Sequence, residues 1–94
     1  MTPRSEEYLK FIRTLPCCVC GAAAEPHHAG RSYKGLKSSD YSCVPLCRQD
    51  HRELHHIGVL TFQKKHGVSM ATEIAYALHR YVSGEGLELP ASLY

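Results

Sequence analysis

Apolar residues fall at helical spacing in two long stretches of the chain, with shorter apolar runs between them. Tyr8, Leu9, Ile12 and Leu15 recur at three- and four-residue intervals, which predicts an amphipathic helix near the N-terminus. Thr2 and Pro3 suit its cap and first turn, and Pro16 closes it. "CCVCG" reads as a turn-like knuckle and "AEPHHAG" as a short strand. "GRSYKGLKSSD" is rich in Gly, Ser and Lys and predicts a loop. "YSCVPLC" mixes β-branched and apolar positions and predicts a second short strand. From Arg48 the pattern turns helical through His56, and Gly58 breaks it. "VLTFQKKHG" predicts a further short helix stopped by Gly67. Met70, Ile74, Leu78 and Tyr81 then mark an amphipathic helix capped by Ser69 and ended by Gly84 and Gly86. The order is helix, knuckle, two strands around a loop, then helices: a single α+β domain over residues 1–94.

Composition adds one unusual feature. With 44% hydrophobic and 21% charged residues the chain is ordinary, but it carries five cysteines and seven histidines. No apolar run approaches the roughly 18 residues of a membrane span. The N-terminal "MTPRSEEYLKFIR" is charged and amphipathic rather than secretory, so a cytoplasmic location is expected. In a reducing compartment an odd, partly clustered set of cysteines points to metal rather than disulfides. The net charge of +2 excludes nothing, but Arg31, Lys34, Lys37, Arg48 and Arg52 face only Asp40 and Asp50 between Gly30 and Arg52. Arg31, Lys34, Lys37 and Arg52 are therefore candidate phosphate contacts.

Cys17 and Cys20 form C-x-x-C, and Cys47 and Asp50 repeat that spacing with Asp in the last place. Two such halves brought together would surround a structural zinc tetrahedrally, and the ion would add folding energy that a small core lacks. Cys18 and Cys43 are the alternatives to Asp50. Cys43, inside the second strand, reads better as a buried free thiol. His51 and His55, at i and i+4, can aim their imidazoles at one point from one helix face. His27 and His28 lie on a strand, where neighbours point to opposite faces. One of them can bind a second ion while the other stays free as a general base. "HRELH" is not the H-E-x-x-H of metalloproteases, because Glu53 lies two residues after His51 rather than one. His56, His66 and His79 read as structural or surface residues.

"PHHAG" followed by "YSCVPLCRQDHRELH" resembles the HNH nucleases, the ββα-metal or His-Me finger family. The likeness is closest to a small phage and bacterial zinc-knuckle subgroup that includes phage recombination-enhancement nucleases. It covers roughly Cys17 to His55, with a looser likeness through "FQKKHG"; the motif core is about 17–56, and a helical C-terminal extension follows over about 59–84. The resemblance implies a ββα-metal core with a zinc knuckle, flanked by an N-terminal helix and C-terminal helices. It makes His27, His51 and His55 ligands of a catalytic divalent ion, His28 the general base, and Cys17, Cys20, Cys47 and Asp50 the zinc ligands. The Asn of the family name falls on Ser42, and Asp40 is the nearby residue able to take over its role.

The activity implied is hydrolysis of DNA phosphodiester bonds, with weak sequence preference and 5′-phosphate and 3′-hydroxyl ends. Three imidazoles suit manganese or nickel at least as well as magnesium. The rival reading is a non-catalytic zinc-knuckle module that binds DNA or protein and has no need of a second histidine site. The last helix could support a homodimer, although Met70, Ile74 and Leu78 suit a core better.

Overall fold

A computed structural model describes residues 4–30 and 38–85 of the chain. The described residues form an α+β domain of four α-helices and one two-stranded antiparallel sheet. Helix α1 spans Glu6–Thr14. It starts later than Thr2 and Pro3 suggested, and those two residues lie outside the described ones. Ser5 caps it instead, its hydroxyl accepting from Tyr8 N at 3.1 Å, with Glu6 and Glu7 in the first turn where the helix dipole favours acids.

Strand β1 (Glu25–His28) pairs with β2 (Cys43–Leu46), placing His27 opposite Val44 and His28 opposite Cys43. β2 is shorter than the predicted strand, because Asp40–Ser42 form a 3₁₀ turn capped by the Ser39 hydroxyl. Helix α2 (Arg48–Ile57) follows at once, then α3 (Val59–His66) and α4 (Met70–Arg80). Gly58 (φ 88°) and Gly67 (φ 65°) separate the last three helices, in conformations that side chains with a Cβ resist. Ser69 caps α4 by accepting from Thr72 N, as expected. Tyr81 leaves the α-helix for a wider turn over Tyr81–Glu85 that is broken at Gly84.

β2 is buried along its whole length, and its alternation divides the interior. Cys43 packs with Tyr8, Phe11, Ile12, Leu15, Ala77 and Tyr81 between α1 and α4. Val44 and Leu46 pack with Leu54, Phe62, Met70 and the knuckle residues Cys17 and Cys47 on the other side. Met70 is buried and Ile74 and Leu78 are half-buried against these clusters, as a core face requires. No helix among the described residues is long and apolar enough to cross a membrane.

Candidate functional site

The knuckle is a tight turn, with Cys17 N donating to Ala22 O at 2.8 Å and Gly21 N to Cys17 O at 2.9 Å. Cys18 N donates to Pro45 O, which docks the turn on β2. Cys47 follows β2 and caps α2, its sulfur accepting from Asp50 N at 3.3 Å. The two halves therefore meet, and the ligating atoms of Cys17, Cys20, Cys47 and Asp50 all lie within 4.8 Å of one another. Cys20 Sγ and Cys47 Sγ are 3.6 Å apart, and Asp50 Oδ2 lies 3.3 Å from Cys17 Sγ and 3.2 Å from Cys47 Sγ. Tetrahedral zinc with its usual bond lengths needs about 3.8 Å between sulfurs and about 3.5 Å from sulfur to oxygen. The cluster could hold a metal ion, and the three distances just given lie within a few tenths of an ångström of that geometry. Burial, with further contributions from Asp50 and Cys20, pushes the Cys47 thiol up to about 12, so an ion entering here must displace protons.

Neither alternative fourth ligand takes part. Cys43 is fully buried in the α1–α4 cluster, the free thiol expected of it. Cys18 is half-buried and outside the ligating set, and burial together with Glu73 raises its thiol to about 12.

The histidines converge on a different face of α2. His27, His51 and His55 present nitrogens within 4.8 Å of one another. His27 Nδ1 lies 3.0 Å from His51 Nε2, close to the roughly 3.4 Å separating two imidazole ligands of one tetrahedral ion. Burial, aided by the neighbouring His51 and His55, lowers the His27 pKa to about 4, so it is the neutral, ligating form at pH 7. Glu25 extends the set. It accepts from His51 Nδ1 at 3.0 Å, and that bond, with Arg48 nearby, holds its carboxyl below the usual range. An ionised carboxylate only accepts, so His51 donates through Nδ1 and turns the Nε2 lone pair toward His27. Glu25 was not singled out from the sequence. The signal was its place two residues before His27, on the same strand face.

His28 lies outside this trio. Its Nε2 sits 2.8 Å from Asp40 Oδ1. Asp40 is only 4% exposed and also accepts from Arg4 Nη1 at 3.0 Å and from Ser5 N at 2.8 Å. Burial alone would raise its pKa, but the bonds from His28, Ser5 N and Arg4 outweigh it and hold the carboxyl at about 2. Asp40, and not Ser42, is therefore the partner of His28. The Ser42 hydroxyl donates to Ser39 O at 2.6 Å and closes the 3₁₀ turn. Gly30 packs so tightly here that a Cβ on it would lie 2.4 Å from Ser42 Oγ.

All four histidines, with Leu9, Arg13 and Pro26, line one cleft of about 510 Å³. Arg52 is not part of it. It is exposed on α2 and lines a separate hollow with Gln49, Asp50, Glu53 and His56. Arg31, Lys34 and Lys37 lie outside the described residues. His66 packs on Phe62 and bonds Glu53, which Lys65 also pairs, so these groups tie α3 to α2. His56 and His79 are exposed, as expected.

An *Escherichia coli* (strain K12) protein, "Uncharacterized protein YdfU", is 39% identical over 66 residues, which are 66% of this chain and 19% of that protein. The chain thus spans about a fifth of the relative's length. No solved structure matches. Residues 1–80 match one family model, and the chain accordingly belongs to the family described as "Protein of unknown function (DUF968)".

Proposed function

We propose that the protein is a metal-dependent endonuclease of the HNH type, hydrolysing DNA phosphodiester bonds with weak sequence preference. One observation carries the reading: three histidines from β1 and α2 point their nitrogens at one place, and a fourth, free histidine held by a buried carboxylate lines the same cleft. The motif resemblance assigns these same positions to ligands and base.

His27, His51 and His55 would hold a divalent ion, which when bound supplies Lewis-acid stabilisation of charge at phosphorus. The nitrogen-only donor set favours manganese or nickel at least as strongly as magnesium. Cys17, Cys20, Cys47 and Asp50 would hold a structural zinc. The five free cysteines suit a reducing cytoplasm.

The ionised Asp40 accepts from His28 Nε2, which leaves Nδ1 as the acceptor of a proton. His28 takes a proton from water at Nδ1 as the water oxygen bonds to phosphorus. The bond from phosphorus to the 3′-oxygen breaks, and the leaving oxygen takes a proton from solvent. General-base catalysis of this kind is worth roughly 10²–10⁴-fold.

The test is conversion of supercoiled plasmid to nicked and linear forms without metal, with magnesium and with manganese, for wild type beside His28→Ala. Metal-dependent cutting that the substitution removes supports the reading. Absence of cutting by folded, zinc-loaded wild type under every divalent ion would replace it with the non-catalytic module that binds DNA or protein.

A further inference from the structure

We infer that Arg13 is the phosphate clamp of the histidine cleft, which makes α1 one wall of the substrate site. The inference rests on the nuclease reading of that cleft and adds a residue that no motif marks. Leu9 and Arg13 are i and i+4 on α1, so they share a face, and both line the cleft beside the four histidines. Among the described residues Arg13 is the one arginine or lysine that does so. Arg52 borders a different hollow, and Arg4 is bonded to Ser38 O and Asp40.

Arg13 is also available. Its ion pair with Glu6, at 3.3 Å, joins two groups about half or more exposed. Such pairs contribute little and exchange readily for a better anion. A phosphodiester is that anion: its two nonbridging oxygens match the planar guanidinium fork, which an ammonium cannot reproduce. The cleft does not oppose it, because among the described residues no carboxylate lines it and Glu25 stands behind His51, bonded to its far nitrogen. Charge grows on those oxygens as water attacks, so the clamp acts on the bound substrate and more strongly in the transition state.

The experiment compares Arg13→Gln, Arg13→Lys and Lys10→Gln. Lys10 is exposed on the same helix but does not line the cleft, so its substitution removes equal charge from elsewhere. Binding of a short labelled duplex is read by fluorescence anisotropy in the His28→Ala background with zinc and manganese present, across a salt series. Plasmid cleavage is read in the wild-type background. Arg13→Gln is expected to weaken duplex binding, to lower the slope of log affinity against log salt by about one, and to lower kcat/KM by about 10–100-fold. Arg13→Lys is expected to restore the salt slope but not the full rate, and Lys10→Gln to keep the cleavage rate. Zinc content and circular dichroism show that each variant is folded.

Wild type that cuts, with Arg13→Gln binding and cutting as its parent does, overturns the clamp and leaves the nuclease standing. Wild type that does not cut, with Arg13→Gln losing affinity and salt slope, overturns the nuclease and keeps Arg13 as a phosphodiester contact. Absence of both effects overturns both.

Discussion

Asp40→Asn is the most informative single substitution, because it keeps the shape of a buried group and removes its charge. The carboxylate accepts three bonds, from His28, Ser5 N and Arg4. Together they draw its pKa from an ordinary 3.8 to about 2. Each tenfold change in proton affinity is worth about 1.36 kcal/mol, so the drop corresponds to about 2.4 kcal/mol of folding stability. Arg4 is 47% exposed and water screens its share, so we expect about 1.5–2 kcal/mol. That is a large fraction of the stability of a domain of this size. A depressed folded pKa stabilises above the unfolded value and stops doing so as pH falls through the folded one. The gap between wild type and variant should therefore be full at about pH 5–7, about half closed at pH 3 and gone below pH 2. Urea midpoints at these values measure it. A gap under about 0.5 kcal/mol at pH 7, or one as wide at pH 3 as at pH 7, would refute the reasoning. The same substitution lets an amide N–H donate to His28 Nε2, moving the imidazole proton to Nδ1. Cleavage should then fall roughly 10²–10⁴-fold, well beyond what the stability loss explains.

Three further outcomes follow from the geometry. Cys47→Ser should release the zinc, seen with a colorimetric chelator, and unfold α2 by circular dichroism, whereas Cys43→Ala should keep one zinc per chain because Cys43 lies in the other cluster. Glu25→Gln should weaken manganese binding at the histidines by about 10–100-fold, measured by calorimetry, while zinc content is unchanged. Manganese or nickel should support cutting at least as well as magnesium in the plasmid assay, and activity with magnesium alone would count against a three-histidine ligand set.

Much of this arrangement was legible in the chain because metal ligands obey spacing. C-x-x-C, C-x-x-D and the i, i+4 histidines each fix a local geometry, and the structure brings each set together. Gly58, Gly67 and Ser69 likewise marked helix ends that the backbone requires. The start of α1 was less legible, since Thr2 and Ser5 are both competent caps and only the bond from Tyr8 N to Ser5 picks one. β2 was read too long because Tyr41 favours a strand and its neighbours continue the apolar run, yet the Ser39 hydroxyl and carbonyl fold Tyr41 and Ser42 into a turn. Arg13 and the Arg4–Asp40 pair were hidden for a different reason. Both depend on α1 packing across the sheet, a contact between residues more than twelve apart that no local pattern encodes.

Helix α2 has only ten residues, too few to be stable alone. Its consecutive residues Asp50 and His51 nonetheless belong to two separate clusters. If both clusters hold ions as proposed, the first to bind bears whatever cost of ordering the helix remains and the second is spared it. Occupancy of the thiol cluster should raise the affinity of the histidines, and the reverse by the same factor, as reciprocity demands. Titrating the two ions in either order must return one coupling constant. On the proposed metal assignment, loss of the first ion would weaken binding of the second without any change in the histidines themselves.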